Sequence, residues 1–278
     1  MIVTWVIAED ILREALRRRW FLVLGIAITL CLMVLLGTLR FDAVENTLAT
    51  SRHALDSAGG DVHAVGQIFN PLFRAAAYLI FYGGILFGII SCAEFAPTLL
   101  SPGRIEHLLS LPVKRWQLIM GTFIGVWTIA SCASLYAAGG LTLILGIKTG
   151  VWTLRPIIAG LLSTVAWAAV YATMLIAATW VRSAALSAGI GGIVFIGGII
   201  ASNRESILGL FAPGLGKVVF SFLSMLFPRL STLGAACARI ASSQPVNAGA
   251  LASTIGGFAC FTAVAVALAI VSLERQDF

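Results

Sequence analysis

Long apolar runs separated by short polar connectors make up most of the chain. A helix needs about 20 mostly apolar residues to cross the hydrocarbon core of a bilayer. Six stretches meet or nearly meet this length, and none of them contains Asp, Glu, Lys, Arg or His. They are residues 20–39, 75–92, 118–147, 156–181, 184–202 and 248–273. The pattern predicts one all-α polytopic membrane domain, residues 1–278, with six transmembrane helices.

The composition excludes several classes of protein. Of the 278 residues, 59% are hydrophobic and 11% are charged, whereas about 25% of residues are charged in ordinary soluble domains. A soluble enzyme could not cover its surface with so few charges. The net charge of +6 comes from basic residues spread over short connectors, so we expect no nucleic-acid partner.

Motifs of catalytic and nucleotide-binding sites are missing from the sequence. There is no HExxH, no GxSxG and no Walker A phosphate loop, and the five cysteines lack metal-ligand spacing. We therefore predict no catalytic residue, no metal site and no cofactor on this chain. The predicted spans also lack the ionisable side chains that ion-coupled carriers use, although carbonyls and hydroxyls alone could hold sodium.

The distribution of basic residues gives the orientation. Arg17, Arg18 and Arg19 directly precede the first predicted span, which places the N-terminus in the cytoplasm. Six spans return residues 274–278 to the same side. Lys and Arg number nine on each side of the membrane, so the orientation rests on the first cluster.

Two connectors on the outer side are predicted to hold short helices. In residues 40–74, Val44, Leu48 and Leu55 have helical spacing, which predicts a helix on the membrane surface. In residues 203–247, an apolar run of ten residues ends at Pro228 and is too short to cross the bilayer. It predicts a re-entrant or surface helix before the sixth span. An extracytoplasmic accessory protein could bind either connector.

The first 19 residues form a predicted amphipathic helix that lies in the membrane interface. Its apolar face consists of Trp5, Ala8, Ile11, Leu12, Ala15 and Leu16, and its polar face of Glu9, Asp10, Arg13, Glu14 and Arg17. Glu9–Arg13 and Glu14–Arg18 have the spacing of ion pairs. The helix could be a topology signal, or it could transmit motion beside cytoplasmic partners, and the sequence leaves both interpretations open.

The connector of residues 93–117 is predicted to contain a short cytoplasmic helix. Ser101 can cap it, Pro102 suits its first position and Pro112 ends it. One flank is apolar, with Ile105, Leu108, Leu109 and Leu111, and the other carries Arg104, Glu106 and His107. A half-apolar helix between two spans offers a surface to a partner.

This connector resembles that of a known family. Residues 103–116 read Gly-Arg-Ile-Glu-His-Leu-Leu-Ser-Leu-Pro-Val-Lys-Arg-Trp. The string is similar to the Gly-x-x-Glu-x-Leu-Leu-Ser-Leu-Pro-Val-x-Arg connector in permease subunits of ABC-2-type exporters. Glu94 matches the family's upstream acid, the N-terminal segment resembles its elbow helix and residues 274–278 resemble its charged tail. The chain departs from the family at residues 95–102, which are apolar where the family is charged.

The resemblance implies a transport subunit. The connector would be a coupling helix docked in a cytoplasmic P-loop ABC ATPase, and two permease chains would work with two ATPase chains, which bind the ATP and magnesium. The residues matched to the coupling region are Glu94, Gly103, Arg104, Glu106, Leu109, Pro112 and Arg115. Those of the elbow helix are Glu9, Arg13 and Arg17. The family also implies a bacterial cytoplasmic (inner) membrane and export from the cytoplasm.

In the family, the second and fifth spans line the translocation path at the dimer interface. The candidate lining residues here are Tyr78, Tyr82, Ser91, Ser187 and Phe195. Hydroxyls without charge suit a neutral, lipidic or amphipathic solute better than a bare ion. Small residues let membrane helices approach each other closely. We therefore expect close helix–helix packing at Gly84-x-x-x-Gly88, at Gly121-x-x-x-Gly125 and in the glycine-rich fifth span, which could instead bend.

Two other functions remain open at this point. A membrane scaffold for an assembly or maturation complex would also lack charge in its spans, but it leaves the connector string unexplained. A channel or ion-coupled carrier would move solute without an ATPase.

Overall fold

Helices run through most of the chain that the structure, a computed structural model, describes: residues 2–17, 19–38, 70–101, 103, 105, 113–149, 152–209 and 215–276. No strand occurs within these ranges, which confirms the all-α fold. The helices are α1 (Ile2–Arg17), α2 (Arg19–Thr38), α3 (Asn70–Leu99), α4 (Arg115–Thr149), α5 (Arg155–Val181), α6 (Ala184–Ser202), α7 (Arg204–Leu208), α8 (Leu215–Leu226), α9 (Leu230–Ala241) and α10 (Ala248–Glu274).

Among the described residues, five helices are long and apolar enough to cross a bilayer: α3, α4, α5, α6 and α10. A helix suits this environment because it satisfies its own backbone N–H and C=O groups, which find no water in lipid. α4 has 35 residues, about 52 Å at 1.5 Å per residue, so it must tilt, bend or protrude. The chain is a multi-pass membrane protein. The count of six spans stays a prediction, because the apolar section of α2, Leu22–Val34, is shorter.

Helix α5 lies at the centre of the bundle, and 72% of its apolar 18-residue section is buried inside the protein. Small residues on its surface let neighbouring backbones come close, which is the main source of helix association in lipid. A Cβ at Gly160 would lie 2.9 Å from the Cβ of Ala138 on α4. The hydroxyl of Ser134 donates to the Gly160 carbonyl at 2.7 Å and so joins the same two helices.

The sequence predicted that the N-terminal helix lies in the membrane interface with its apolar face in lipid, but part of that face packs on protein. Ala8, Ile11 and Ala15 are buried, whereas Trp5 and Leu16 are 67% and 71% exposed. The buried stripe lies against α4, at the two glycines of its Gly-x-x-x-Gly motif. The predicted close packing of that motif is confirmed, and its partner is α1.

Helices α1 and α2 contact α4 at successive positions along its length. A Cβ at Gly121 would lie 2.7 Å from the Ile7 Cβ, and one at Gly125 would lie 3.1 Å from the Ala8 carbonyl. Further along α4, Leu32 of α2 touches Gly140. The Thr29 and Tyr136 hydroxyls hydrogen-bond at 2.8 Å one turn earlier on both helices, so α2 runs beside α4 in the same direction.

Helix α3 extends its predicted span at both ends, from Asn70 to Leu99. Its regular hydrogen bonding is interrupted by a π-helical turn at Leu79–Gly83, which the sequence did not predict. Only the second glycine of its Gly-x-x-x-Gly motif is in a tight contact, because a Cβ at Gly88 would lie 2.8 Å from the Trp167 ring and Gly84 has open space.

The described part of the segment between the fifth and sixth predicted spans, residues 203–209 and 215–247, contains three helices, α7, α8 and α9, where the sequence predicted one short helix. Helix α8 covers the predicted apolar run. Helix α9 was not predicted, and it buries one face against α3 and α5. Residues 39–69, with the predicted surface helix, lie outside the described residues.

Helix α6 is shorter than its neighbours, and α9 begins beside its outer end. Helices α6, α5 and α10 each have one end at the same face of the bundle, where Arg182 and Ser183 connect α5 to α6 and Gln276 donates to the Thr179 carbonyl. α6 has 19 residues, whereas α5 and α10 have 27 each. At comparable tilt, α6 ends about 12 Å short of them. Helix α9 begins beside this end of α6, where the Ser231 N–H donates to the Ser202 hydroxyl at 2.9 Å.

Valine at Gly125 should weaken the contact between α1 and α4. The added side chain would meet the Ala8 carbonyl and Ile11, and overpacking of this kind costs about 1–3 kcal/mol. We expect a lower unfolding temperature for purified Gly125→Val in detergent. Gly139→Val is the matched control on the same helix, since Gly139 has no neighbour within 4 Å. Equal unfolding temperatures for both variants would contradict this packing.

Candidate functional site

A set of hydrogen bonds joins the ends of α4, α5 and α10 at the predicted cytoplasmic face. The guanidinium of Arg115, the first residue of α4, donates to the carbonyls of Leu273, at 3.0 Å, and Glu274, at 3.3 Å. It also donates to the carbonyl of Gln276. The last carbonyls of a helix have no partner within the helix, so an arginine satisfies both their hydrogen bonding and the negative end of the helix dipole.

Gln276 extends this network to α5. Its side-chain amide donates to the Thr179 carbonyl at 2.7 Å, and its amide oxygen accepts from Arg182 at 3.4 Å. The Thr179 hydroxyl also donates to the Ser272 hydroxyl at 3.2 Å. We call the network formed by Arg115, Thr179, Arg182 and Gln276 the Arg115–Gln276 junction. It ties the C-terminal tail to two other helices.

The start of the cytoplasmic connector is held in the bundle. Phe95, Leu99 and Leu100 are almost completely buried, and the Thr98 hydroxyl donates to the Glu94 carbonyl at 2.6 Å. The apolar sequence at 95–102, which departs from the exporter pattern, therefore has a packing role over the part described.

The connector then turns at Gly103. Its φ of +82° lies in the left-handed region, which glycine adopts without strain. Ile105, two residues later, is 2% exposed and its N–H donates to the Ser101 carbonyl at 3.1 Å. The matched residues Arg104, Glu106, Leu109 and Pro112 lie outside the described residues.

The polar face of the N-terminal helix is exposed at the same face of the bundle. Arg13 and Glu9 form the expected ion pair at 2.6 Å, and Arg17 is the exposed last residue of α1. Since this ion pair is exposed, its contribution to stability is small. The second expected pair involves Arg18, which lies outside the described residues.

Three of the candidate path residues form one aromatic cluster. Tyr78 stacks on Tyr82 with ring centroids 6.0 Å apart, and Tyr82 meets the edge of Phe195 at 6.1 Å. The π-helical turn contributes Tyr82, while α6 contributes Phe195. The structure thus brings together the second and fifth predicted spans at these rings.

The two candidate serines lie elsewhere and are buried within the chain. The Ser187 hydroxyl donates to the Met174 carbonyl at 3.1 Å, which joins α6 to α5. Ser91 is 5% exposed and its hydroxyl has no hydrogen-bond partner among the described residues. Their role in lining a path stays a prediction.

Sequence reasoning missed the contribution of α9 to the aromatic cluster. A Cβ at Gly234 would lie 3.1 Å from the Tyr82 hydroxyl oxygen and 3.2 Å from the Phe81 ring, so α9 packs directly against the π-helical turn. A usable signal was present in the spacing of the buried residues Leu230, Leu233, Gly234, Cys237, Ala238 and Ala241, which recur on one helical face.

Metal-binding side chains do not gather in the described ranges. No group of three or more His, Cys, Asp or Glu residues occurs there with a metal-binding arrangement.

Comparison with known proteins identifies the chain's family. The sequence pattern of a family described as "ABC-2 family transporter protein" matches residues 5–278, which is nearly the whole chain. A search for relatives among curated proteins finds no match. The family match agrees with the multi-pass helical fold and with the connector string, and the chain belongs to the ABC-2 family as a membrane permease of an ABC transporter.

Proposed function

We propose that this permease is the membrane subunit of an ATP-driven exporter in a bacterial cytoplasmic membrane. Two copies of it form the translocation path, and two copies of a separate cytoplasmic P-loop ATPase bind ATP and magnesium and drive transport. The observation that carries the proposal is the family match over residues 5–278.

The positions of both termini support the proposed orientation. Helix α1 packs at Gly121 and Gly125, near the start of α4, and the C-terminal tail binds Arg115 at that same end. Both ends of the described chain therefore lie at one membrane face. Arg17, the last residue of α1, begins the basic cluster of residues 17–19 in the sequence, and such clusters favour the cytoplasm.

The geometry of the connector supports a role in transmitting motion. The side chains of Leu99, Leu100 and Ile105 are buried, and they anchor the first part of the connector in the bundle. Its end is Arg115, which is bound to the tail of α10. An ATPase that moved the connector would therefore move α4, α5 and α10 together through the Arg115–Gln276 junction.

Removing the matched connector charges should weaken the response to the ATPase. We expect Arg104→Ala and Glu106→Ala each to lower transport and permease-stimulated ATP hydrolysis by at least about tenfold, the loss typical of one interface hot spot. Lys114→Ala is the control, because Lys114 is an exposed cation at the end of the same connector and is not among the residues assigned to the coupling region. Membrane insertion should be unchanged in all three variants.

Full transport and full ATPase stimulation in both connector variants would contradict the coupling role. A scaffold would give no solute-dependent ATPase activity with any variant. Solute movement in liposomes without an ATPase would favour a channel or carrier.

Loss of the Arg115 guanidinium should release the C-terminal tail. Arg115→Gln removes donors to the carbonyls of Leu273, Glu274 and Gln276. We expect the rate of amide hydrogen exchange in the last turn of α10 to rise by about tenfold, because the free energy of local opening falls by roughly the contribution of one hydrogen bond to a charged group. Transport per ATP hydrolysed should fall in the same variant.

The matched control for this variant is Lys114→Gln, which removes the neighbouring exposed cation. Unchanged exchange at residues 273–276 in Arg115→Gln would show that the junction does not hold the tail. Increased exchange with normal transport per ATP would show that the tail is held but that transport does not depend on it.

A further inference from the structure

Helix α3 is irregular near its middle. The π-helical turn at Leu79–Gly83 breaks its regular hydrogen bonding, and the Gly84 N–H that follows is shared between the carbonyls of Ile80 and Phe81. A Cβ at Gly84 would meet nothing within 4 Å, and one at Gly83 would make only an ordinary contact at 3.8 Å. Because helices bend sharply at π-helical turns and at pairs of small residues, α3 can bend at this point.

The two pieces of α3 on either side of this turn are held by different helices. The outer piece, Asn70–Tyr78, packs mainly on α9. The inner piece, Gly84–Leu99, packs on α5 and α6. A Cβ at Gly88 would lie 2.8 Å from the Trp167 ring of α5, and a Cβ at Gly191 of α6 would lie 3.3 Å from the same piece. The irregular turn therefore lies between two separately packed pieces.

The inner piece leads directly into the predicted cytoplasmic connector. Phe95 and Leu99 belong to its last turns, and Leu100 and Ile105 continue its buried side chains into the connector. A partner that moved the connector would therefore act first on the inner piece of α3.

One serine of the inner piece lacks a hydrogen bond that serines in helices can make with their own backbone. Ser131 and Ser202 donate to the carbonyl one turn earlier, at 2.8 Å and 2.9 Å. Ser91 is 5% exposed, and its hydroxyl has no hydrogen-bond partner among the described residues. A buried hydroxyl without a partner is unfavourable, and more so where no water reaches it.

Helix α5 presents a second unpaired hydroxyl at about the same level. Ser91 follows Gly88 by about one turn, Tyr171 follows Trp167 by one turn, and both helices run toward the predicted cytoplasmic face. Tyr171 stacks on Trp167 with ring centroids 5.8 Å apart, and its own buried hydroxyl has no partner among the described residues. Such groups hold unfavourable free energy that another arrangement of the two helices can release.

We propose that α3 consists of two pieces joined by a hinge at residues 79–84, and that its inner piece has a second position in which the Ser91 hydroxyl reaches the water of the translocation path. In the described position Ser91 is packed in the bundle at the level of Tyr171. The outer piece stays on α9 while the connector moves the inner piece. The use of this hinge in transport rests on the proposed exporter function, whereas the hinge itself is a property of the permease.

Thiol labelling of the purified permease in nanodiscs tests the hinge without an ATPase. Ser91→Cys is made in a variant whose five native cysteines are replaced by alanine, and its reaction with a small water-soluble methanethiosulfonate is timed by mass spectrometry. The reference is Ser163→Cys on α5, where the serine is 8% exposed and its hydroxyl donates to the Gly160 carbonyl at 2.6 Å. We expect Ser91→Cys to react at least about tenfold faster, because only its position opens.

Glycine substitutions show whether this labelling depends on the hinge. Gly83 and Gly84 have helical φ angles of −65° and −62° and room for a methyl group, so alanine fits the described position and resists bending. In the double variant Gly83→Ala/Gly84→Ala we expect labelling of Ser91→Cys to fall about tenfold, since each change favours the helical backbone roughly threefold. The matched control is Gly256→Ala/Gly257→Ala, a glycine pair of α10 without neighbours within 4 Å.

The control pair should leave the labelling rate unchanged, and neither double variant should lower the unfolding temperature. Equal labelling rates for Ser91→Cys and Ser163→Cys would overturn the proposal. A rate unaffected by the hinge substitutions, or lowered equally by the control pair, would also overturn it. Hinge-dependent labelling in a permease that gives no ATP-driven transport would contradict the exporter function and leave the hinge standing.

Discussion

The arrangement of the helices in the bundle depends on the hydrogen bonds of Arg115 and Gln276. They hold the ends of α4, α5 and α10 together at one face, although Arg115 and Gln276 are 161 residues apart in the sequence. In lipid there is little hydrophobic drive between helices, so such polar contacts and the packing of small residues determine the arrangement. The same face carries the start of the connector and, through Gly121 and Gly125, the N-terminal helix.

The helices above this common face differ in length, since α6 is eight residues shorter than α5 and α10. The turn before α9 lies beside the outer part of α6, because the Pro228 carbonyl is 2.7 Å from the Cβ position of Gly198. Helix α9 then packs on the aromatic cluster, where a Cβ at Gly234 would lie 3.1 Å from the Tyr82 hydroxyl. Close backbone approaches at two glycines therefore position α9 against both predicted path-lining spans.

The sequence predicts best what the bilayer imposes directly. Runs without charge had to become long helices, and the glycine motif at 121 and 125 had to pack closely, but small residues do not identify the partner that approaches them. Helix α9 was missed because its 12 residues fall below the length of a span, although its buried face has helical spacing. The π-helical turn of α3 and the contacts of Arg115 depend on neighbours distant in sequence, so local patterns could not predict them. The connector residues 104, 106, 109 and 112 remain predictions from the family string.

Gentle extraction of the tagged permease from its native membrane, followed by mass spectrometry of everything that elutes with it, tests the central claim most directly. A permease of an ATP-driven exporter should elute with a P-loop ATPase at equal stoichiometry, and the complex should hydrolyse ATP. Elution of the chain alone, or only with partners that are not ATPases, would contradict the claim and favour a membrane scaffold.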